Sequence, residues 1–129
     1  MKKLNYFLML IAFPLLFGNC TDKNIKHGFC HHVYFWLHNP DDSADRASFE
    51  KGIADLLKVP GIKSYHLGIP AETAVRDVVD GSYTYSYVVF FDDKAAHDVY
   101  QTHPIHLKFV ADCQHLWDKV VVYDAISTN

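Results

Sequence analysis

The sequence predicts an α+β fold in which one four-stranded antiparallel sheet carries helices on a single face. Three observations lead there. Segments with strand period and segments with helix period follow one another in the order β-α-β-β-α-β. Pro, Gly, Asn and Asp turn chemistry separates them. The first and third strands are apolar on both faces, so both sides of the sheet should be covered. The chain has 129 residues, half of them hydrophobic and 15% aromatic, which is enough apolar material for one cored domain.

The N-terminal stretch reads as a processing segment and is set aside from the fold. Met1-Lys2-Lys3 is a short positive start, and Leu4 to Phe17 is almost wholly apolar. That length suits a signal-peptide core and falls short of the roughly 20 residues of a membrane-spanning helix. Gly18-Asn19-Cys20 then resembles a bacterial lipoprotein processing site, although Asn19 and Phe17 depart from its commonest residues. The expectation is a signal peptide over residues 1–19, lipidation of Cys20, a polar tether over residues 20–28 and a folded domain over residues 29–129. Removing residues 1–19 takes away two Lys and no acids, so the remaining domain is mildly acidic. The expected location is the bacterial cell envelope, as an exported, membrane-anchored lipoprotein, with a soluble periplasmic form as the alternative. No long basic run appears, so nucleic acid is not an expected partner, and the membrane is touched only through the lipid.

Phe29 to His38 is aromatic and β-branched and reads as the first strand. One of its faces carries Cys30, His32, Tyr34, Trp36 and His38, the other His31, Val33, Phe35 and Leu37. Asn39 to Ser43 supplies a turn and a helix N-cap. Phe49, Ile53, Leu56 and Leu57 recur at helical spacing, and Pro60-Gly61 ends that helix. Ile62 to Ile69 is the second strand, closed by Pro70, and Ala71 to Ser82 is a polar loop. Tyr83 to Phe91 is the third strand, with Tyr83, Tyr85, Tyr87, Val89 and Phe91 on one face. Asp92-Asp93 caps a short helix with Ala96, Val99 and Tyr100 on one side. His103-Pro104 breaks it, and Pro104 suits the first turn of the next helix. Ile105, Phe109, Val110, Cys113 and Trp117 form the stripe of that helix, and Lys119 to Asp124 is the last strand.

This order is the split βαβ, ferredoxin-like arrangement. One sheet face remains to be covered, and a second copy covers it most simply, by symmetry. A homodimer closing into an α+β barrel is therefore expected. With Cys20 assigned to lipidation, Cys30 and Cys113 are left, and they read as buried thiols rather than a disulfide.

The segment Tyr100-Gln-Thr-His103-Pro104-Ile105-His106 is the most suggestive of chemistry. His106 lies three residues before Phe109 and seven before Cys113, on the face turned to the sheet. Tyr100 lies on the inner side of the preceding helix, and His32 shares a strand face with Tyr34 and Trp36. One reading is an acid/base set of Tyr100, His106 and His32. In it a His moves a proton near neutrality and a Tyr hydroxyl steadies a developing oxyanion. Tyr34, Trp36, Phe49, His103 and Phe109 would line its pocket. The other reading is a structural network, with His103 capping a helix, His106 bonded to a backbone carbonyl and Tyr100 bonded to His32. No metal centre is expected. The pairs His103/His106 and His31/His32 do not suit one shared ion, and no carboxylate completes a set around them. No phosphate loop, serine elbow or paired catalytic carboxylate is present, and no cofactor is expected.

Four motifs together resemble the stress-responsive A/B barrel (Dabb) family. They are His-Val-Tyr-Phe at 32–35, Val59-Pro60-Gly61-Ile62, the Tyr100 to His106 segment, and Trp117-Asp118-Lys119-Val120. The resemblance covers nearly the whole domain and implies a homodimeric α+β barrel. Most members are described only as stress-responsive, while one plant member cyclises a linear polyketide by an aldol condensation. The resemblance matches that cyclase's catalytic Tyr and His to Tyr100 and His106, and its strand His to His32. Where the cyclase has a further pocket Tyr on its first helix, this chain has Gly52. The expected function is binding of a small apolar or aromatic ligand in a His/Tyr-lined pocket. The alternatives are a cyclase- or lyase-like enzyme using Tyr100 and His106, and a non-catalytic dimeric module. The cofactor-free monooxygenases and haem degraders of a related barrel family rank behind these.

Overall fold

The computed structural model describes residues 28–128. The expected leader, Cys20 and nearly all of the tether lie outside them. The described chain runs β1 (Phe29–Leu37), α1 (Ser43–Leu56), β2 (Ser64–Gly68), β3 (Tyr85–Phe91), α2 (Lys94–Thr102), α3 (Pro104–Cys113), a single 3₁₀ turn and β4 (Trp117–Ile126). The strands form one antiparallel sheet in the order β2-β3-β1-β4, which is the ferredoxin-like topology expected from the sequence.

Local chemistry sets the element ends. The Asp42 carboxylate accepts from the backbone N–H groups of Ala44 and Asp45 at 2.8 and 2.9 Å, fixing the start of α1. After α1 the chain turns through Pro60 and Gly61, and Gly61 takes φ +98°, where a side chain would be strained. Asp93 caps α2 through the Ala96 N–H. His103 ends α2 and starts α3, its ring nitrogen accepting from the Ile105 N–H at 3.2 Å with Pro104 in the first turn. The expected break between the two helices is therefore present, and His103 is the cap that joins them.

The core lies between the sheet and the helices. Phe49, Ile53 and Leu56 of α1 recur at four- and three-residue spacing and are almost fully buried. They meet Val33, Phe35 and Leu37 of β1 and Tyr85, Tyr87, Val89 and Phe91 of β3. Phe35 and Phe49 meet edge to face at 4.9 Å, and Phe49 stacks on Tyr85 at 4.8 Å. The Tyr85 hydroxyl donates to Glu50, and the Leu37 N–H donates to Thr84 Oγ1 at 3.0 Å.

Three face assignments differ from expectation. Tyr83 does not share the inner face of β3, because regular pairing starts only at Tyr85; Tyr83 instead packs on Tyr34 at 4.7 Å. Val99 and Val110 are exposed, while His97 takes the buried place on α2 beside Tyr100. Trp117 is not on α3 but opens β4, where it stacks on Phe109 at 5.7 Å. Cys30 and Cys113 are both free thiols, as expected.

Candidate functional site

Alternation along β1 divides the candidate residues between the two faces of the sheet. Phe29, His31, Val33, Phe35 and Leu37 point to the helices, and Cys30, His32, Tyr34 and Trp36 point to the bare face. The β4 register agrees. His31 pairs with Asp124 and Val33 with Val122 on the helix side, while His32 pairs with Tyr123 and Tyr34 with Val121 on the other.

This corrects the expected pocket. His32, Tyr34 and Trp36 do not join Tyr100 and His106, because a one-residue offset along a strand reverses the face. The histidine on the Tyr100 side is His31. On the bare face, His32 bonds Ser86 Oγ at 2.9 Å and packs against Tyr34 at 4.3 Å. Lys119 sits over the Trp36 ring at 4.1 Å. With Tyr83 and Tyr123 these side chains border a wide hollow of about 530 Å³. Burial, and repulsion from His31 and His66, hold His32 below the usual His range.

A second cavity, of about 200 Å³, lies on the helix side between β1, β4 and α3. Val33, Phe35, Leu56, Phe109, Val110, Trp117, Val120 and Val122 make most of its wall. Its polar lining residues are His31, Tyr87, Tyr100, Gln101 and His106. Of the residues expected to line the pocket, Phe109 does so; Phe49 lies behind it in the core, and His103 serves as the helix cap.

The Tyr100 and His106 rings meet at 4.8 Å and 63°. The Tyr100 hydroxyl lies 3.3 Å from that of Tyr87, so Tyr100 bonds a β3 tyrosine and not His32. Burial pushes Tyr100 up to about 12, against the opposing effect of the Tyr87 bond, so it stays a neutral hydrogen-bond donor. Burial, then repulsion from His31, lowers His106; the Gln101 carbonyl, an acceptor for the ring, works the other way. His106 Nδ1 is buried and meets no hydrogen-bond partner among the described residues. The site thus combines a neutral imidazole with a free ring nitrogen and a phenol kept protonated, in an apolar recess. That pair can hold a carbonyl or hydroxyl group and exchange a proton with it.

Two inward residues lie beside the site without being among the expected site residues. His31 bonds Asp124 Oδ1 through Nδ1 at 2.7 Å, which fixes its ring. His97 stacks on Phe29 at 4.3 Å and lies 4.9 Å from the His31 ring. The signal for His97 was its place three residues before Tyr100 on one helix. Asp124 supplies the carboxylate that the sequence reading had not found near any histidine pair.

The family model described as the Stress responsive A/B Barrel Domain matches residues 29–127. The chain belongs to the Dabb family. No curated protein matches it. Among solved structures it is similar to a Dabb family protein of ferredoxin-like fold from Mesorhizobium loti. Identity is 22%, covering 81% of this chain and all of that one, with a TM-score of 0.66. It is also similar to a hydroxynitrile lyase from Passiflora edulis, at 21% identity over 79% of this chain and 94% of that one, TM-score 0.67. A third is a dimeric ferredoxin-like protein of unknown function from Thermobifida fusca, at 19% identity over 79% and 92%, TM-score 0.63. At these identities the likeness establishes the fold.

Proposed function

We propose that this Dabb protein binds a small apolar or aromatic molecule bearing a carbonyl or hydroxyl group in the Tyr100–His106 cavity. The observation that carries this is the buried Nδ1 of His106, which has no hydrogen-bond partner among the described residues and belongs to a ring that meets the Tyr100 ring edge to face. A buried polar nitrogen without a partner typically costs about 1–3 kcal/mol, which a ligand atom offsets once the ring turns to meet it. The small volume and apolar wall favour a compact ligand with one polar end. Native mass spectrometry of gently purified protein tests the reading. One homogeneous added mass, absent from His106→Ala, is expected; a bare protein with an unchanged spectrum in the variant opposes it.

A lyase- or cyclase-like activity is the second reading. In it, neutral His106 takes a proton from the substrate while Tyr100 donates to the developing oxyanion. The fold neighbour described as a hydroxynitrile lyase supports it by analogy of fold.

We also infer a homodimer joined through the bare sheet face. Half-buried His32, Tyr34, Trp36, Val88 and Phe90 there leave a broad aromatic surface, and several fold neighbours are described as dimeric. Sedimentation equilibrium should give twice the chain mass, and a monomer at micromolar concentration argues against it. The Lys2-Lys3 start, the apolar run and Cys20 support an exported lipoprotein of the bacterial cell envelope. Cys20→Ser should move the protein out of the membrane fraction; full-length, soluble wild type in the cytoplasm would rule that location out.

A further inference from the structure

We propose that His31, His97 and Asp124 form a binding site for a divalent transition-metal ion of the zinc class. The three come from β1, α2 and β4, and one donor atom from each lies within 4.8 Å of the others. Two imidazoles and one carboxylate make a donor set that suits zinc and its neighbours better than magnesium or calcium, which prefer oxygen alone. Metal–ligand bonds of about 2.1 Å in tetrahedral geometry place donor atoms about 3.4 Å apart. The widest gap must therefore close by about 1.4 Å, within reach of a side-chain rotation. His31 and Asp124 are already in contact at 2.7 Å and would part slightly to admit the ion.

The state of His97 is the second reason. The residue is only 7% exposed, yet its Nδ1 meets no hydrogen-bond partner among the described residues. The nearest acid, Asp98 Oδ1, stands 3.7 Å away, beyond hydrogen-bond reach, and Asp98 is held by Lys94 at 2.6 Å. Packing alone does not account for an imidazole here. The ring stacks on Phe29 and meets Phe91 at 5.6 Å, contacts that a phenyl ring would make with no polar atom to satisfy. A coordinated ion gives the nitrogen a partner.

The surroundings fit a metal ligand. The other ring nitrogen of His97 lies 3.0 Å from the Gln101 amide. A half-turn of that amide presents its oxygen, which accepts from Nε2–H and aims Nδ1, the usual support for a ligating histidine. Asp124 is 41% exposed, so an ion has a path from solvent, and water can complete the coordination sphere. Three protein ligands with an open position are the pattern of a reactive rather than a purely structural zinc site. His31 also lines the cavity, so the ion would sit at one end of it. The proposal does not depend on that cavity's taking a ligand.

The test is titration of chelator-treated full-length protein with zinc and with cobalt(II), read by calorimetry and by the visible spectrum of cobalt. One ion per chain is expected, with a cobalt spectrum of nitrogen and oxygen ligation. His97→Phe keeps the stacking and removes the ligand. It and Asp124→Asn should each weaken binding by at least the roughly 10–100-fold seen when only a supporting residue is lost. His115→Ala, at an exposed histidine between α3 and β4, should leave binding unchanged. No saturable binding, or equal binding by His97→Phe and the parent, overturns the proposal; the second result assigns any uptake to other histidines.

Discussion

Replacing Gly52 by Ala should destabilise the protein, although alanine is the better helix former. Gly52 lies inside α1, where exchange for Ala ordinarily gains about 1 kcal/mol. Here the added Cβ would stand 2.5 Å from Cys113 Sγ and 3.2 Å from Phe109 Cδ2. The first distance is far inside contact, and Cys113 is itself buried between the helices. Overpacking of this kind costs about 1–3 kcal/mol, so the net effect is a loss of up to about 2 kcal/mol. Cys113→Ala removes the obstructing sulfur and alone should cost about 1 kcal/mol for the lost contacts. In the double variant the clash is gone and the helix gain remains. The two changes should therefore couple favourably by the relieved overpacking cost, about 1–3 kcal/mol. Urea unfolding of all four proteins at one fixed concentration measures the cycle, since a dimer's midpoint depends on concentration. A Gly52→Ala protein more stable than the parent, or two effects that simply add, would refute the packing argument. The same contacts leave no room for a bulky aromatic at position 52.

Other predictions follow from the division of the sheet. His31→Ala should weaken ligand binding in the helix-side cavity and leave the dimer intact, whereas His32→Ala should weaken the dimer and spare ligand binding; calorimetry and sedimentation on both variants separate them. A reversed pattern would mean that the faces are misassigned. His106 has a folded-state pKa lowered by burial, while its unfolded value is near 6.5. Below about pH 6.5 the unfolded chain takes up a proton that the folded one refuses, so stability falls as pH drops through that value. His106→Gln should flatten this part of the urea-midpoint profile between pH 7.5 and 5; an unchanged slope would contradict it. Asp42→Ala should lower stability by about 1 kcal/mol through loss of the α1 cap, measured by the same unfolding curve.

The order of elements was legible because its signals are local. Phe49, Ile53 and Leu56 announce α1, Asp42 and Asp93 announce caps, and His103-Pro104 announces the break between α2 and α3. The site was only half legible. Tyr100 and His106 could be placed inward from helical period, but the strand histidine could not, because His31 and His32 are adjacent and both faces of β1 are apolar. A finer difference was present. The inward face reads Phe, His, Val, Phe, Leu, whereas the bare face carries Tyr and Trp, whose polar tips need water or a partner. The His31–Asp124 pair depends on antiparallel register across 93 residues of sequence. No local pattern encodes that distance. A lone histidine on a short helix, such as His97, looks like a surface residue until the helix face is known.

The most direct test of the ligand-cavity account is a paired measurement on His106→Ala. Trp117 lines the cavity, so its fluorescence can report an aromatic aldehyde such as benzaldehyde used as probe, in a Trp36→Phe background that removes the other tryptophan. Probe affinity and urea midpoint are measured on the same preparations. Because His106 Nδ1 has no partner among the described residues, a loss of probe affinity of about tenfold or more is expected, equivalent to about 1.4 kcal/mol. The midpoint should change little. A fall in stability of about 1–3 kcal/mol with probe affinity untouched would contradict the account and make His106 a structural residue.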